Sequence, residues 1–365
     1  MKVLNLLASG GVGGIEVLNK DIGMYSTDDN SFVFLYGTGI IYEQMKSAGL
    51  DTIDLSKLSF PAKMLRLLEI SKQYDIVVSH HGSLGLSFFY VFLLFFDHKS
   101  RFILTHHSCF DPEDYYPYKD IFRNTLRKIN LKYSIRKSDG IIYVSKAGMQ
   151  SFFNAFDVDR KKAHVIYNGV NDELLEQGKN NFPVFDGELR LLYIGRLSRV
   201  KGVHLLLEAI SKLKDEFQIR AKIVGDGKER EALMKYAADA GIDGIVSFEG
   251  VQTDKQRYFE WANVFIYPSV WQEVFGISIV EGLAYGLPCI SNRVGGIPEI
   301  VDSENGILTA TSDAAGVADA TVLMYRKYCG GMLPQMSAKA KETAAEFSVR
   351  NTVAQMHRVF EDVMK

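Results

Sequence analysis

Short apolar runs rich in β-branched residues alternate with helical patterns along almost the whole chain. That rhythm restricts the fold more than any other feature, because strand, crossover helix and parallel strand form a unit that buries both faces of a parallel sheet. In the first half, strands are expected at 2–8, 31–36, 76–79, 102–105, 140–144 and 164–167. The rhythm restarts at 191–194 and continues at 218–224, 245–249, 264–267 and 288–291. Between the halves, 177–187 is polar, holds Gly, Asn, Pro and Asp, and reads as a linker. At 365 residues the chain exceeds what one hydrophobic core usually supports. The expected fold is α/β, with two Rossmann-like doubly wound domains whose ligands meet the carboxyl ends of the strands.

Apolar residues at 47% and charged ones at 24% are ordinary for a globular enzyme, and a net charge of −2 argues against a nucleic-acid partner. Cys109, Cys289 and Cys329 are odd in number and widely spaced, which fits neither a disulfide framework nor a zinc site. A reducing cytoplasm is the simplest compartment. The apolar stretch within residues 1–8 is too short for a signal-peptide core. The longest mostly apolar stretch, Leu84–Phe96, has 13 residues against the roughly 20 a spanning helix needs, so no transmembrane segment is expected.

Three loops carry the candidate chemistry. Ser9-Gly10-Gly11-Val12-Gly13-Gly14 follows the first strand and leads into a helix, whose free N–H groups suit an anion. Its spacing differs from the G-x-G-x-x-G dinucleotide fingerprint, so NAD is not favoured. Gly195-Arg196-Leu197-Ser198-Arg199-Val200-Lys201-Gly202 follows the first strand of the second half. Arg196 offers a planar fork and Lys201 a compact charge, and both suit a diphosphate. A solvated basic turn would look the same in isolation. Gly225-Asp226-Gly227 marks another tight turn on that edge. In the stretch 271–281, Glu273 and Glu281 stand eight apart across a glycine, with Glu273 in a loop and Glu281 in the helix that follows. Carboxylates accept from vicinal hydroxyls, so the pair suits the sugar and ribose of a nucleotide sugar.

Taken together, Glu273-x7-Glu281, the 195–202 loop and Val294-Gly295-Gly296-Ile297-Pro298-Glu299-Ile300-Val301 resemble the family-4 retaining glycosyltransferases. Gly13-Gly14-Ile15-Glu16, Val165-Ile166-Tyr167-Asn168-Gly169-Val170 and Ser145 extend the resemblance from residue 10 to about residue 306. Val274 departs from it, since many relatives have proline there. The resemblance implies a GT-B architecture, with two Rossmann-like domains facing across a cleft. The acceptor domain would span 1–175 and the nucleotide-sugar donor domain 188–349, with a helix at 350–365 crossing back to the first. It implies a donor site of Gly13, Gly14, Gly195, Arg196, Lys201, Gly225, Glu273, Phe275, Gly276, Ile277 and Glu281. Arg196 and Lys201 would hold the diphosphate, Glu281 the ribose and Glu273 the sugar hydroxyls, with His107 beside the sugar. It further implies UDP- or GDP-sugar as donor substrate, no cofactor, no metal, and transfer with retention to a saccharide or lipid-linked acceptor in surface polysaccharide biosynthesis. A nucleotide-sugar 2-epimerase of the same fold, and an inactive sugar-nucleotide-binding subunit, are the rival readings.

His80-His81 and His106-His107 each follow an expected strand; one of the second pair, preferably His107, is the ligand candidate, and His80 and His81 read equally well as packed residues. Asp157-Val158-Asp159 matches a metal-binding D-x-D but reads as a solvated turn. Pro117 opens a helix over 118–137, in which Phe122, Leu126, Ile129 and Tyr133 form a stripe amid Lys119, Arg123, Arg127, Lys128, Lys132, Arg136 and Lys137. Two readings stand: the stripe packs inward with solvated basic flanks, or the face meets anionic lipid at the inner side of the cell membrane. The aromatic run Phe88-Phe89-Tyr90 to Phe95-Phe96 reads as a buried helix that can add to such a face.

Overall fold

The two apolar rhythms fold into two parallel sheets, seen in a computed structural model that describes residues 1–11, 13–81, 84–115 and 121–365. One unit comprises Met1–Gly169 with Val349–Lys365, and the other Val170–Ser348. In the first unit the strands are β1 (Lys2–Ser9), β2 (Asp29–Gly37), β3 (Asp51–Asp54), β4 (Ile76–His81), β5 (Arg101–His106), β6 (Gly140–Tyr143) and β7 (Ala163–Val165). Their order is β3-β2-β1-β4-β5-β6-β7. The second unit holds β8 (Glu188–Ile194), β9 (Gln218–Val224), β10 (Val246–Gly250), β11 (Val264–Tyr267), β12 (Cys289–Ser291) and β13 (Gly306–Leu308), ordered β10-β9-β8-β11-β12-β13. Each sheet is doubly wound, as the sequence rhythm requires. The expected strands are present, and β3 and β13 are additional. Both are edge strands, and Asp51-Thr52-Ile53-Asp54 and Gly306-Ile307-Leu308 hold only one and two large apolar residues.

Helices cover both faces of the first sheet, so its central strands are apolar on both sides; Val3, Leu4, Leu6 and Leu7 of β1 are all buried. On one face the Val349–Met364 helix packs Val353, Met356, Val359 and Phe360 against Val3, Ile76, Val78, Ile103 and Ile142. The Asp172–Lys179 helix belongs instead to the second unit, which places the break at 169/170, ahead of the polar stretch 177–187. Its Gly178 lies so close to the Ala284 carbonyl that a Cβ would stand 2.1 Å from that oxygen. Asn181 Nδ2 donates to the Tyr285 carbonyl (2.7 Å), tying the following turn to the same unit.

The Leu84–Phe96 helix buries Leu86, Phe89, Tyr90 and Leu93 at helical spacing, but leaves Phe95 and Phe96 more than half exposed. The Ile121–Lys137 helix corrects the inward-packing reading of the 122/126/129/133 stripe. Its buried residues are Leu131, Ser134 and Ile135, while Phe122 is 69% and Ile129 56% exposed. Leu126 and Tyr133 of the stripe are half-buried, while Lys128, Lys132 and Arg136 are exposed along its flank. Leu131 and Ile135 join the core around Leu93 and Phe102, and so set the helix rotation. Pro117, Tyr118, Lys119 and Asp120 lie outside the described residues. Among the described residues, no helix is long and apolar enough to cross a membrane.

Candidate active site

In the second sheet the chain runs outward from β8 to β9 and β10, then returns to lay β11 beside β8. At such a reversal the loops after the two neighbouring strands diverge and leave a crevice for a ligand. The loops concerned are 195–202 after β8 and 268–276 after β11. Gly202 has φ 71° and stands against Pro268, whose carbonyl oxygen would be 1.8 Å from a Cβ. Val270 N–H donates to the Val200 carbonyl (2.9 Å), so the two loops are joined through backbone. The loop after β9 closes the other side. A Cβ on Gly225 would fall 2.0 Å from the Gly195 carbonyl, and Leu197 N–H donates to Asp226 O (2.9 Å).

This backbone frame brings Lys201 against Glu273. Lys201 Nζ pairs with Glu273 Oε1 and donates to the Tyr267 hydroxyl (2.9 Å). Ser269 Oγ donates to Glu273 Oε1 (2.9 Å), and the Tyr267 hydroxyl approaches the same oxygen at 3.4 Å. Among the described residues, Glu273 Oε2 takes no hydrogen bond, which leaves it to outside donors. Burial pushes the Tyr267 phenol well above its ordinary range, and the Glu273 charge adds to the effect. Tyr193, stacked on Tyr267 at 5.8 Å, is raised for the same reasons and donates to the Arg196 carbonyl (3.0 Å). Both phenols are thus neutral donors. The Arg196 side chain is exposed, and among the described residues its guanidinium makes no ion pair.

Glu273 is held from behind by the 292–297 turn: Gly296 N–H donates to its carbonyl (2.7 Å), and Gly295 N–H to Gln272 Oε1 (3.1 Å). Phe275 is buried edge-on to Phe347, with ring centres 5.3 Å apart. Gly276 precedes the Ile277–Ala284 helix, and no side chain caps the first N–H groups there. Glu281, one turn further, accepts from Lys255 Nζ through both oxygens (2.9 Å each). The structure therefore brings Lys201 to Glu273 and Gly225 to Gly195, and gives Glu281 a lysine of its own. Tyr267, Ser269 and Lys255 were not singled out by sequence. Tyr267 stands at the end of an expected strand, which is a signal of position; nothing in the sequence marks Lys255.

The first unit carries the remaining candidates. Its sheet reverses between β1 and β4, and Gly10–Gly14 follows β1. Gly13 precedes the Gly14–Tyr25 helix without a capping side chain, and the Glu16 carboxylate folds back beside it, raised by burial. Asn5 Nδ2 donates to Asn30 Oδ1 (2.9 Å), so its Oδ1 accepts from His80 Nε2 (3.3 Å). In the neutral ring, His80 Nδ1 then accepts from His107 Nε2 (3.1 Å). Burial lowers the His107 pKa to about 4, so near neutral pH its ring is uncharged and its Nδ1 carries no proton. His106 lies between Tyr143 and Phe152 in the core. Ser145 Oγ caps the Lys146–Ala155 helix by accepting from Gly148 N–H (2.9 Å). Asp159 caps the Arg160–Lys162 turn by accepting from Lys161 N–H (3.0 Å), and Asp157 is exposed beside it. Cys109, Cys289 and Cys329 are free thiols. Among the described residues, no three His, Cys, Asp or Glu side chains are grouped to hold a metal ion.

Comparison with known proteins converges on both units. Residues 46–174 match the family described as Glycosyltransferase Family 4, and residues 188–327 the family described as Glycosyl transferases group 1. The chain is similar to the N-acetyl-alpha-D-glucosaminyl L-malate synthase of Bacillus anthracis, at 26% identity over 64% of this chain and 62% of that one. It is also similar, at 25% identity, to the N-acetylgalactosamine-N,N'-diacetylbacillosaminyl-diphospho-undecaprenol 4-alpha-N-acetylgalactosaminyltransferase of Campylobacter jejuni, covering 58% of this chain and 57% of that enzyme. The match thus spans about three-fifths of these curated relatives. Among solved structures, Anabaena Alr3699/HepE in complex with UDP shares the fold, with TM-score 0.82, 20% identity and coverage of 99% and 100% of the two chains.

Proposed function

We propose that this chain, which belongs to the family-4 glycosyltransferases and has their GT-B fold of two Rossmann-like domains, transfers a hexose from a UDP- or GDP-sugar to a saccharide or lipid-linked acceptor with retention at the anomeric carbon. The observation that carries the reading is the Lys201–Glu273–Tyr267 cluster at the strand reversal of the second unit. A diphosphate there would meet the Lys201 ammonium and the exposed Arg196 guanidinium, with the uncapped N–H groups of Gly276 and Ile277 as further donors. In this reading Arg196 and Lys201 stabilise the charge that grows on the leaving diphosphate as the glycosidic bond breaks. Glu273, held through Oε1, offers Oε2 to the sugar hydroxyls, and Glu281 accepts from the ribose hydroxyls. Gly195 and Gly225 let backbone approach the nucleotide, while Phe275 fixes the loop that carries Glu273. Gly13, Gly14 and His107 remain the candidates of the first unit taken by itself, His107 through its unprotonated Nδ1.

UDP is the first base to test, since the HepE structures contain UDP and, in one case, UDP with glucose. Side chains rather than a metal meet the diphosphate charge in this proposal. Turnover of donor with acceptor should therefore be unchanged in EDTA. Loss on chelation that Mn²⁺ or Mg²⁺ restores would contradict this and return attention to Asp157 and Asp159.

The acceptor reading extends to the membrane. The outward stripe of Ile121, Phe122 and Ile129 amid Lys128, Lys132 and Arg136, with Phe95 and Phe96 exposed nearby, supports docking on anionic lipid during surface polysaccharide assembly. Phe95 stacks on Tyr133 at 4.6 Å, which joins the two helices at this face. Each exposed cation gains about 1 kcal/mol near such a surface. Reversing Lys128, Lys132 and Arg136 to glutamate should thus cut sedimentation with vesicles containing phosphatidylglycerol by roughly 100-fold or more in affinity. Wild-type protein that ignores those vesicles at low salt would remove the membrane from the proposal.

A further inference from the structure

Lys63 is 8% exposed, yet among the described residues its ammonium has no hydrogen-bond acceptor and no carboxylate within ion-pair distance. The aliphatic stem carries that burial, and the ammonium is not among the side-chain nitrogens wholly closed to water. Its Nζ lies 5.3 Å from the centre of the Tyr36 ring. The acid it influences, Asp54, is held below the usual carboxylate range chiefly by its hydrogen bond with Ser56, with Lys63 the smallest contribution. Lys63 sits in the first turn of the Phe60–Ser71 helix, whose N-cap Ser59 makes no side-chain capping bond. The helix dipole thus adds positive potential at the same place.

Two aromatic rings stand beside this cation. Tyr36, near the carboxyl end of β2, is 47% exposed, and Phe60 is 50% exposed. Both pack on buried Phe89, at 6.2 Å and 5.0 Å between ring centres, so each ring is fixed while half of its surface is open. Gly37, the neighbour of Tyr36, accepts from Gly10 N–H (2.9 Å), which places the group next to the glycine loop after β1. Exposed rings of this kind suit the C–H face of a pyranose, and an ammonium beside them with no hydrogen-bond acceptor from the protein suits an anion on that pyranose.

We propose that Tyr36, Phe60 and Lys63 form an acceptor subsite for a saccharide bearing a phosphate or carboxylate group. The assignment deepens the glycosyltransferase reading and rests on it, since it supplies the chemistry of the acceptor. The ring stacks on Tyr36 and Phe60, and the anion takes the hydrogen bonds that Lys63 lacks in the free protein.

Calorimetric titration of the full chain with glucose 6-phosphate, glucuronate, glucose and inorganic phosphate tests this. At least one of the two anionic sugars should bind about tenfold or more tightly than either glucose or phosphate alone. K63M should erase that preference, and K63R should restore part of it. Equal binding of all four probes, or a preference that survives in K63M, would overturn the subsite. UDP binding measured on the same samples tests the donor reading separately. An anion preference without UDP binding would keep the subsite and remove the transferase reading.

Discussion

Lys201→Ala is expected to lower kcat/KM by roughly 30- to 1,000-fold while the protein stays folded, a loss of about 2–4 kcal/mol of transition-state stabilisation. The lysine has two functions in the proposed site. It meets the growing charge on the departing diphosphate, and before the donor arrives it holds Glu273 through Oε1 and stands on Tyr267. Without it, the partly buried Glu273 carboxylate keeps only Ser269 and Tyr267 as donors. Arg196→Ala removes a comparable charge without that second effect, because the exposed Arg196 side chain makes no ion pair among the described residues. Its expected loss is of the same order, with no change in melting temperature. Steady-state kinetics on both variants decides the matter, and near-wild-type kcat/KM in either one would refute the diphosphate assignment.

Gly202→Ala is expected to be the most damaging single-methyl change in the second unit. At φ 71° any L side chain adds about 1–2 kcal/mol of strain. The new Cβ would also stand 1.8 Å from the Pro268 carbonyl oxygen, a backbone atom that moves only if the 195–202 and 268–276 loops separate. Over-packing of this kind costs about 1–3 kcal/mol more. Gly187→Ala is the matched control: its φ of 99° is also left-handed, but nothing lies within 4 Å of the new methyl. Urea unfolding should therefore show a midpoint shift for Gly202→Ala well beyond that for Gly187→Ala, at equal m-values. UDP affinity should fall only in the former. Equal shifts would mean that the contact between these loops does not hold the site together.

The sequence carried the sheet rhythm because buried parallel strands are apolar on both faces and leave unbroken runs. It did not carry β3 and β13, short strands at the sheet edges, nor the break at 169/170, beyond which the Asp172–Lys179 helix belongs to the second unit. Periodicity recognised the Ile121–Lys137 helix but misassigned one reading of its faces. A stripe of Phe122, Leu126, Ile129 and Tyr133 says that a helix is amphipathic, not which side meets the core; Leu131 and Ile135 decided that through their neighbours. Lys201 and Glu273 were named from their loops, and the structure adds how they meet. Tyr267, Ser269 and Lys255 are site neighbours only through the fold, since 66 residues separate Lys201 from Tyr267. Asn5 and His80 are similar: a buried asparagine within a strand gives no hint that it orders a histidine relay 75 residues away.

The central claim is glycosyl transfer with retention, and proton NMR of a complete reaction tests it most directly. Protein, an α-linked UDP-sugar and an acceptor are followed together, beginning with UDP-glucose and the acceptor that binds tightest. UDP release should require the acceptor, and a new glycosidic anomeric proton should show the small coupling of an α linkage. A large coupling would contradict retention. Donor consumed without acceptor, with conversion to its 2-epimer, would contradict transfer itself and establish the epimerase in its place.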